Sequence, residues 1–395
     1  MNNFVKIILK SGKEQSVRRL HPWIFSGAIK QILGAPTEGD VVEVYDNHNE
    51  FLALGHYQPS SIAVRIFSFE KVELDRNYWK NKIASAIECR RKLGFFDAPD
   101  TNVFRLVHGE GDGLPGLVID YYNGTAVFQA HSAGMYNLRN DVAQILVELL
   151  GDKINAVYDK SSQTLPFKAG LEPVDGYLYG NLSQNIVVEH GNKFEIDWEK
   201  GQKTGFFIDQ RENRRLLGEY SRGKKVCNIF GYTGGFSIYA LKAGAELVHT
   251  VDASKLAIDL TDRNVEINFG NSVNHKGFAM DAFDFLSQST EKYDVIILDP
   301  PAFAKHQKNL NNALNGYKRI NQRALEQIAH GGILFTFSCS QAVDKEDFRK
   351  AVFAASVNAK RNVRILHFLS QPIDHPISMF HPESEYLKGL VLYVD

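Results

Sequence analysis

The run Asn228-Ile229-Phe230-Gly231-Tyr232-Thr233-Gly234-Gly235-Phe236 decides the fold of the C-terminal half of this 395-residue chain. It follows the apolar stretch KVCNIF and continues into a segment with a helical pattern. Its glycines allow a sharp turn and a close approach of the backbone to a ligand. A single glycine-rich turn is weak support on its own, because dinucleotide-binding folds use one too. The neighbouring sequence therefore has to indicate what the turn binds.

Downstream of this turn the chain alternates regularly between strand and helix patterns. Buried-type apolar runs occur at KVCNIF, LVHTVD, YDVIILD and GILFTFS, and each is followed by a helical stretch. This alternation predicts a doubly wound parallel sheet, in which ligands bind at the carboxyl ends of the strands. We therefore expect a Rossmann-like α/β domain in the C-terminal part of the chain.

Acidic residues follow three consecutive predicted strands at that edge of the sheet. Asp252 ends the second strand, about twenty residues after the glycines, where a carboxylate accepts hydrogen bonds from a ribose diol. Asp281 ends the third strand and is expected to reach an adenine amino group, with Phe283 beside the ring. The fourth strand ends in Asp299-Pro300-Pro301. A nicotinamide enzyme would share the first two features but not the Asp-Pro-Pro turn.

The N-terminal part of the chain has a different pattern. From about Val5 to Phe69, the runs VKIIL, DVVEVY, EFLALGHY and SIAVRIFSF predict the strands of a small β-barrel-like module. The aromatic cluster HPWIF, His21 to Phe25, is expected to open a short turn or helix.

The middle of the chain predicts an α+β domain. RNYWKNKIASAIECRRKLG predicts a helix closed by Gly94, and FRLVHGEGDGLPGLVIDYYNGTAVFQAHS predicts a hairpin. Another helix is expected around Tyr136 to Leu150. We predict a multi-domain chain with an N-terminal β-barrel over 1–72, a central α+β domain over 73–195 and the C-terminal α/β domain over 196–395.

The composition is that of an ordinary soluble globular protein, with 44% hydrophobic and 23% charged residues. The formal net charge of −1 gives no support for a nucleic-acid partner, which has to rest on local patches. No stretch approaches the roughly 18 apolar residues of a membrane helix, and the N-terminus lacks a signal-peptide core. The three cysteines form no C-x-x-C pair. We predict a cytoplasmic protein with no disulfides, no metal and no membrane partner.

From Gly201 onward the chain resembles a class I S-adenosylmethionine-dependent methyltransferase. In detail it is similar to the bacterial large-subunit ribosomal RNA cytosine-5 methyltransferase I family. The segment GQKTGFFIDQREN resembles the one that this family places before the sheet as a cover over the cofactor. HPWIFSGAI and FLALGHY match its PUA domain, and FRLVHGEGDGLPGLVIDYY matches its central α+β domain. The resemblance implies S-adenosylmethionine as cofactor, S-adenosylhomocysteine as product and ribosomal RNA as partner.

The expected cofactor contacts fall in five places along the sequence. They are Thr204, Gly205 and Phe207 in the cover; Asn228, Phe230, Gly231, Tyr232, Thr233, Gly234 and Phe236 in the glycine-rich turn; Asp252, Ala253 and Ser254 after the second strand; Asp281 and Ala282 after the third; and Asp299 and Pro300 after the fourth.

Cys339 lies in Ser338-Cys339-Ser340, at the end of the fifth strand-like run. Cytosine C5 attacks a sulfonium methyl only after a thiolate has added at C6 and made the ring an enamine. The family's nucleophile occupies this Ser-Cys-Ser, so the resemblance implies Cys339 as nucleophile and Asp299 as the group that holds cytosine N3. The alternative is a small buried hydrophobe, which we expect for Cys89 and Cys227. The group that removes the C5 proton is left open between Asp299 and a water.

A basic segment follows the Asp-Pro-Pro turn, from Lys305 to Leu325, without a single acid. With His306 and Tyr317 interleaved, it suits phosphate contact and stacking against a base pulled out of its helix. A solvated helix face is the alternative. A second basic stretch, Arg211 to Lys225, gives weaker support for RNA contact, and the cofactor cover is the alternative use for part of it. The predicted RNA contacts are Lys305, Lys308, Lys318, Arg319 and Arg323.

Three rival functions differ from cytosine C5 methylation in what they require of the chain. Methylation of a base nitrogen, such as guanine N7 or an exocyclic amine, would leave activity largely intact without Cys339. An RNA-binding protein that has lost catalysis would bind the cofactor without turnover. A nicotinamide dehydrogenase would bind NAD. The modified nucleotide, the state of the RNA substrate and the choice between monomer and homodimer are left open by the sequence.

Overall fold

The computed structural model describes residues 4 to 165, 171 to 181, 184 to 270, 272 to 304 and 309 to 395. The chain divides into two compact units. The first consists of Met1–Val187, Ile196–Phe206 and Ile373–Ser384, and the second of Val188–Glu195, Phe207–Pro372 and Glu385–Asp395. The two N-terminal sheets lie in the first unit and the C-terminal sheet in the second. The boundaries 1–72, 73–195 and 196–395 stay predictions.

The N-terminal sheet contains six strands. They are β1 (Val5–Leu9), β2 (Trp23–Phe25), β3 (Ile29–Leu33), β4 (Val41–Tyr45), β5 (Phe51–Tyr57) and β6 (Ile62–Ser68). Their order is β2-β6-β5-β4-β1-β3, and all neighbours are antiparallel except β1 and β4. The four runs that predicted strands all form strands here. Its core is built from aliphatic residues of these strands, among them Ile7, Leu9, Val42, Val44, Val64 and Ile66.

The cluster HPWIF leads into a short 3-10 helix at Ser26–Ala28, as expected, although its last three residues form a strand. Trp23–Phe25 is a strand that pairs antiparallel with β6, with Ile24 opposite Val64. Aromatic and β-branched side chains favour a pleated, half-buried surface, and Ile24 is buried in the core of the sheet. A further short helix, α1 (Gln15–Arg18), lies earlier in the chain.

The central part of the first unit combines three helices with a five-stranded sheet. The helices are α2 (Arg76–Lys92), α3 (Ala133–Asn137) and α4 (Arg139–Leu150), and the strands are β7 (Val103–His108), β8 (Leu117–Tyr122), β9 (Thr125–Ala130), β10 (Ala156–Asp159) and β11 (Gly176–Gly180). The order is β11-β10-β9-β8-β7, with only β9 and β10 parallel. The predicted α+β pattern, with helix α2 ending before a left-handed Gly94, is present.

Next come β12 (Ile186–Glu189) and β13 (Asn192–Glu195), which form a two-stranded ribbon, and then the C-terminal α/β part. Its elements are α5 (Arg211–Ser221), β14 (Lys225–Ile229), α6 (Gly235–Lys242), β15 (Leu247–Asp252), α7 (Lys255–Phe269), β16 (His275–Ala279), α8 (Ala282–Gln288), β17 (Tyr293–Leu298), α9 (Leu310–Gln327), β18 (Ile328–Ser338), α10 (Lys345–Ala359), β19 (Val363–Leu369) and β20 (Lys388–Val394).

The C-terminal sheet has the order β16-β15-β14-β17-β18-β20-β19. The first five strands of this order are parallel, and β20 runs antiparallel to both of its neighbours. The strand order reverses at β14, so a crevice forms beyond the carboxyl ends of β14 and β17. No helix within the described residues is long and apolar enough to cross a lipid bilayer.

His56 is buried in the first unit between two aromatic rings. It stacks on Trp79 with ring centroids 5.9 Å apart and lies 4.8 Å from Phe67. Burial lowers the pKa of His56 to about 4. Between pH 6.5 and 4 the unfolded chain therefore binds a proton that the folded chain does not, so the free energy of unfolding falls as the pH decreases through this range.

We expect His56→Phe to remove this part of the acid sensitivity. Between pH 6.5 and 5.0 the fall in the free energy of unfolding should be smaller by about 2 kcal/mol than in the parent. Urea unfolding at the two pH values measures it, with His48→Phe at an exposed turn as control. An equal fall in the parent and in His56→Phe would contradict this assignment.

Candidate functional site

The glycine-rich turn has an unusual backbone. Phe230, Tyr232 and Gly234 have φ angles of 62°, 45° and 79°, all in the left-handed region. Two non-glycine residues in that region within one turn mark stored strain, which clusters at ligand sites. A Cβ at Gly231 would lie 2.4 Å from the Thr250 methyl carbon. The turn is therefore held tightly against the sheet and presents its backbone at the crevice.

Helix α7 fixes the same turn from the side. Thr261 Oγ1 donates to the carbonyl of Tyr232 at 2.9 Å, and Asn264 Nδ2 donates to the carbonyl of Thr233 at 3.0 Å. The buried side chain of Asn228 lies beneath, with Nδ2 2.9 Å from Ser237 Oγ. The two hydrogen bonds from α7 therefore occupy the carbonyls of Tyr232 and Thr233.

Asp252 connects the end of β15 to the glycine-rich turn. Its carboxylate accepts hydrogen bonds from the backbone N–H groups of Tyr232 and Ser254, each at 2.9 Å. Each carboxylate oxygen keeps a further lone pair, since a carboxylate offers about four acceptor sites. Ala253 and Ser254 are exposed beside it.

Asp281 caps the N-terminus of α8. Its Oδ1 accepts from the N–H groups of Phe283 and Asp284, at 2.8 and 3.2 Å. Among the residues that the structure describes, its Oδ2 has no hydrogen-bond partner. Ala282 is buried behind it.

The predicted cover is divided between the two units. Phe207 belongs to the second unit, where its ring packs edge-on against Tyr232 with centroids 5.2 Å apart. Thr204 and Gly205 belong to the first, where the Thr204 hydroxyl bonds to Asp120 at 2.7 Å and to the Tyr122 hydroxyl at 2.8 Å. Phe207 thus reaches the turn, and the roles of Thr204 and Gly205 stay predictions.

The Asp-Pro-Pro and Ser-Cys-Ser turns are neighbours. They follow the adjacent parallel strands β17 and β18, in which Leu298 lies opposite Thr336. Cys339 Sγ lies 3.9 Å from the carbonyl oxygen of Pro300. Cys339 is half-buried and Cys227 is fully buried, as expected for a structural thiol. The expectation that Cys89 is buried was wrong, because it is exposed on its helix. The structure therefore brings together Asp299, Pro300 and the one cysteine expected to react.

The turn after Cys339 is firmly held. Ser340 Oγ lies 2.9 Å from the Tyr317 hydroxyl and accepts from the N–H of Ala304 at 3.3 Å. The Lys388 ammonium donates to the Ser340 carbonyl at 2.7 Å. Burial lowers the pKa of Lys388 to about 8. Lys388 was not predicted as a site residue, because its only signal in the sequence is a charge inside the apolar run that forms β20.

A buried ion pair under the site was also missed. Arg214 and Glu189 form two hydrogen bonds, of 2.9 and 2.7 Å, and Arg214 also donates to the carbonyl of Phe207 at 2.9 Å. The Arg214 side chain is 3% exposed. Arg214 had been grouped with a basic stretch as weak support for RNA contact, and its burial excludes that use. Its hydrogen bond instead fixes the backbone at Phe207, a residue of the predicted cover.

The predicted RNA-contacting residues have different environments. Lys305 and Lys308 lie outside the described residues, as does His306. On α9, Lys318 is half-buried, while the exposed Arg319 and Arg323 line a depression of about 380 Å³.

Two further findings modify the expected RNA surface. The Arg319 guanidinium lies over the Phe283 ring at 5.2 Å, and Arg323 pairs with Glu326 at 3.0 Å, which offsets its charge. The prediction that Tyr317 stacks on a base was wrong, because the side chain is fully buried. It packs against Phe303, and a base has no access to it.

One group of side chains in the first unit has the composition of a metal site. His21, His381 and Glu383 place ligand atoms within 4.8 Å of one another. The Glu383 carboxylate lies 3.4 Å from His21 Nε2 and 3.6 Å from His381 Nε2, so the carboxylate can serve both rings as an ion-pair partner without a metal. The expected absence of a metal stays a prediction.

Comparison with known proteins identifies both halves of the chain. A PUA-like domain model matches residues 7–69, and an S-adenosylmethionine-dependent methyltransferase model matches residues 171–381. A protein named ribosomal RNA large subunit methyltransferase I from Alteromonas mediterranea is 39% identical to this chain, over 98% of this chain and 98% of that protein. A protein of the same name from Aeromonas salmonicida is 41% identical, over 98% of this chain and 99% of that protein.

A solved structure shows the same fold over the whole length. The SAM-dependent methyltransferase from Streptococcus mutans superposes with a TM-score of 0.84 at 24% identity, covering 98% of this chain and 99% of its own. The predicted combination of a PUA-like N-terminal domain and a methyltransferase fold is confirmed.

Proposed function

This chain belongs to the ribosomal RNA large subunit methyltransferase I family, with S-adenosylmethionine as its cofactor, and we propose that it methylates C5 of a cytosine in large-subunit ribosomal RNA. The observation that carries the proposal is the 3.9 Å between Cys339 Sγ and the Pro300 carbonyl, at the carboxyl edge of the sheet. C5 chemistry requires a thiol at that place, and methylation of a nitrogen does not.

The chain's own groups suit the cofactor. The strained turn at Phe230 to Gly234 presents its backbone, and Asp252 has acceptor capacity for the ribose hydroxyls. Asp281 uses one oxygen for the helix cap, which leaves the other to accept from the adenine amino group. We place the cofactor against these groups, with Phe207 as part of its cover. When bound, S-adenosylmethionine supplies an electrophilic methyl group.

In the proposed reaction Cys339 and Asp299 act on the cytosine from the two neighbouring turns. The Cys339 thiolate adds to C6 and forms a C–S bond, while the Asp299 carboxyl donates a hydrogen bond to N3, where negative charge develops. C5 then carries the electron pair that takes the methyl group. Loss of the C5 proton to a base restores the double bond, breaks the C–S bond and releases the Cys339 thiolate.

We expect Asp252→Ala to weaken S-adenosylmethionine binding by about 10- to 100-fold. The carboxylate both fixes the turn at Tyr232 and accepts from the ribose, and hydrogen bonds to a charged group contribute about 1.5–3 kcal/mol. Titration calorimetry of the purified protein measures it. Asp259→Ala, an exposed position on α7, is the matched control and should bind normally. If Asp252→Ala bound S-adenosylmethionine normally, the assignment of Asp252 to the cofactor site would be wrong.

Arg319, Lys318 and Arg323 are proposed to contact RNA phosphates, together with Lys305 and Lys308. Arg319 carries the most direct support, because it is exposed at the depression next to Phe283. We expect Arg319→Gln to reduce the slope of log affinity against log salt by about 1. Filter binding to ribosomal RNA at several salt concentrations measures this slope. Arg349→Gln on α10 changes net charge equally and should keep the parent's slope.

Identification of the nucleoside that carries the new methyl group tests the proposed function. Ribosomal RNA from cells lacking this protein is incubated with the enzyme and isotope-labelled cofactor. The RNA is then digested to nucleosides, which are identified by mass spectrometry. Label in 5-methylcytidine supports the proposal. Label in 7-methylguanosine or in a nucleoside with a methylated exocyclic amine would contradict it and support methylation of a nitrogen. Tight cofactor binding with no labelled nucleoside would contradict it and support an RNA-binding protein without turnover.

A further inference from the structure

Lys388 is a buried lysine that opens the antiparallel strand β20. The side chain is only 5% exposed. In the sheet it lies opposite Ser338, the residue before Cys339. Its ammonium donates to the carbonyl of Ser340, the residue after Cys339, at 2.7 Å. Lys388 is therefore paired with the residue before the cysteine through the strand register and with the residue after it through its side chain.

The carbonyl that receives this hydrogen bond has a fixed position. The Ser340 side chain is buried and tied to the Tyr317 hydroxyl and to the Ala304 N–H. Because the turn is anchored in this way, the ammonium of Lys388 is anchored with it. The charge therefore stays at one place close to Cys339.

Glu385 and Asp344 act on this ammonium only from a distance. Within the described residues Lys388 has no ion-pair partner, and Glu385 is paired with Lys345 at 2.5 Å. Burial lowers the pKa of Lys388 to about 8, while Cys339, Glu385 and Asp344 act in the opposite direction and Lys345 acts with burial. At neutral pH the amine thus carries its proton, although an unpaired buried charge costs folding free energy.

We propose that Lys388 is a positioning residue for Cys339, whose anchored ammonium holds the Ser338–Ser340 turn and stabilises the Cys339 thiolate. Ionisation of the thiol releases its proton to solvent, and Lys388 keeps its own. A positive charge beside a cysteine favours the thiolate, which is the nucleophilic form. The inference rests on the proposed function, in which Cys339 attacks the base.

The test measures the alkylation rate of Cys339 by iodoacetamide between pH 5 and 10. The full chain carries Cys89→Ser, so that the buried Cys227 is the only other thiol. The parent should show a midpoint below the ordinary thiol value of about 8.5, and Lys388→Met should raise it by about one pH unit, with a roughly ten-fold slower rate at pH 7. Lys388→Arg should restore the midpoint, and Lys345→Met, an exposed neighbour, should not move it.

A parent midpoint at or above the ordinary value would overturn the inference, even if Lys388→Met fails to fold. So would identical midpoints in the parent and a folded Lys388→Met. Because alkylation needs neither RNA nor cofactor, its outcome is separate from that of the proposed function. An active Cys339→Ala enzyme would refute the proposed function, whatever the pH profile of the thiol.

Discussion

Cys339→Ala should reduce methyl transfer to ribosomal RNA by at least about 10³-fold, while S-adenosylmethionine binds with its normal affinity. Removing the nucleophile of a covalent mechanism leaves only the positioning of the reactants, which accounts for a small part of the rate. The Cys339 thiol contacts the Asp-Pro-Pro turn, whereas the Asp252 carboxylate bonds to the glycine-rich turn that we assign to the cofactor. The loss should therefore be in kcat. Transfer of labelled methyl under single-turnover conditions measures it, with calorimetry for the cofactor.

The other two cysteines provide matched controls for this variant. Cys89→Ala changes an exposed helix position, and Cys227→Ala removes a buried thiol inside β14, where burial raises the pKa of the group. Both should keep the parent's rate per folded molecule. If Cys339→Ala retained most of the activity, the covalent mechanism would be wrong, and methylation of a nitrogen would take its place.

Arg214→Met should lower the free energy of unfolding of the second unit by about 3–5 kcal/mol. The substitution leaves the Glu189 carboxylate buried without its cation, and breaking a buried pair from one side has that cost. It also removes the hydrogen bond to the Phe207 carbonyl, so cofactor binding should weaken as well. Urea unfolding followed by near-ultraviolet circular dichroism measures the stability.

Two further variants distinguish the effect of breaking the Arg214–Glu189 ion pair from the effect of removing an arginine in general. Arg215→Met, on the exposed side of the same helix, should change stability by less than about 0.5 kcal/mol. Glu189→Met combined with Arg214→Met should recover much of the loss, because an apolar pair often replaces a buried ion pair at little cost. If Arg214→Met were as stable as Arg215→Met, the ion pair would not support the fold.

The parts of the fold that could be predicted are those encoded in local patterns. The apolar runs KVCNIF, LVHTVD, YDVIILD and GILFTFS form the parallel strands β14, β15, β17 and β18. Parallel strands place their carboxyl ends at one edge, so Asp299 and Cys339 were both expected at that edge. The structure brings the two turns into contact there.

What was missed depends on contacts between distant segments. Arg214 meets Glu189, 25 residues away, and Lys388 meets the Ser340 carbonyl, 48 residues away. No local pattern separates a buried arginine from a surface one. The prediction that Tyr317 stacks on a base failed for the same reason. Its position beside basic residues suggested a base-stacking ring, but in the helix this side chain faces the core.

The most direct test of the account is trapping of the covalent intermediate on 5-fluorocytidine-substituted ribosomal RNA. Fluorine at C5 cannot leave as a proton, so a cysteine mechanism stops with the RNA attached to the protein after methyl transfer. The account predicts a labelled, denaturation-resistant protein–RNA adduct that disappears in Cys339→Ala. Methyl transfer to unsubstituted RNA with no adduct on the substituted RNA, and with Cys339→Ala still active, would contradict it.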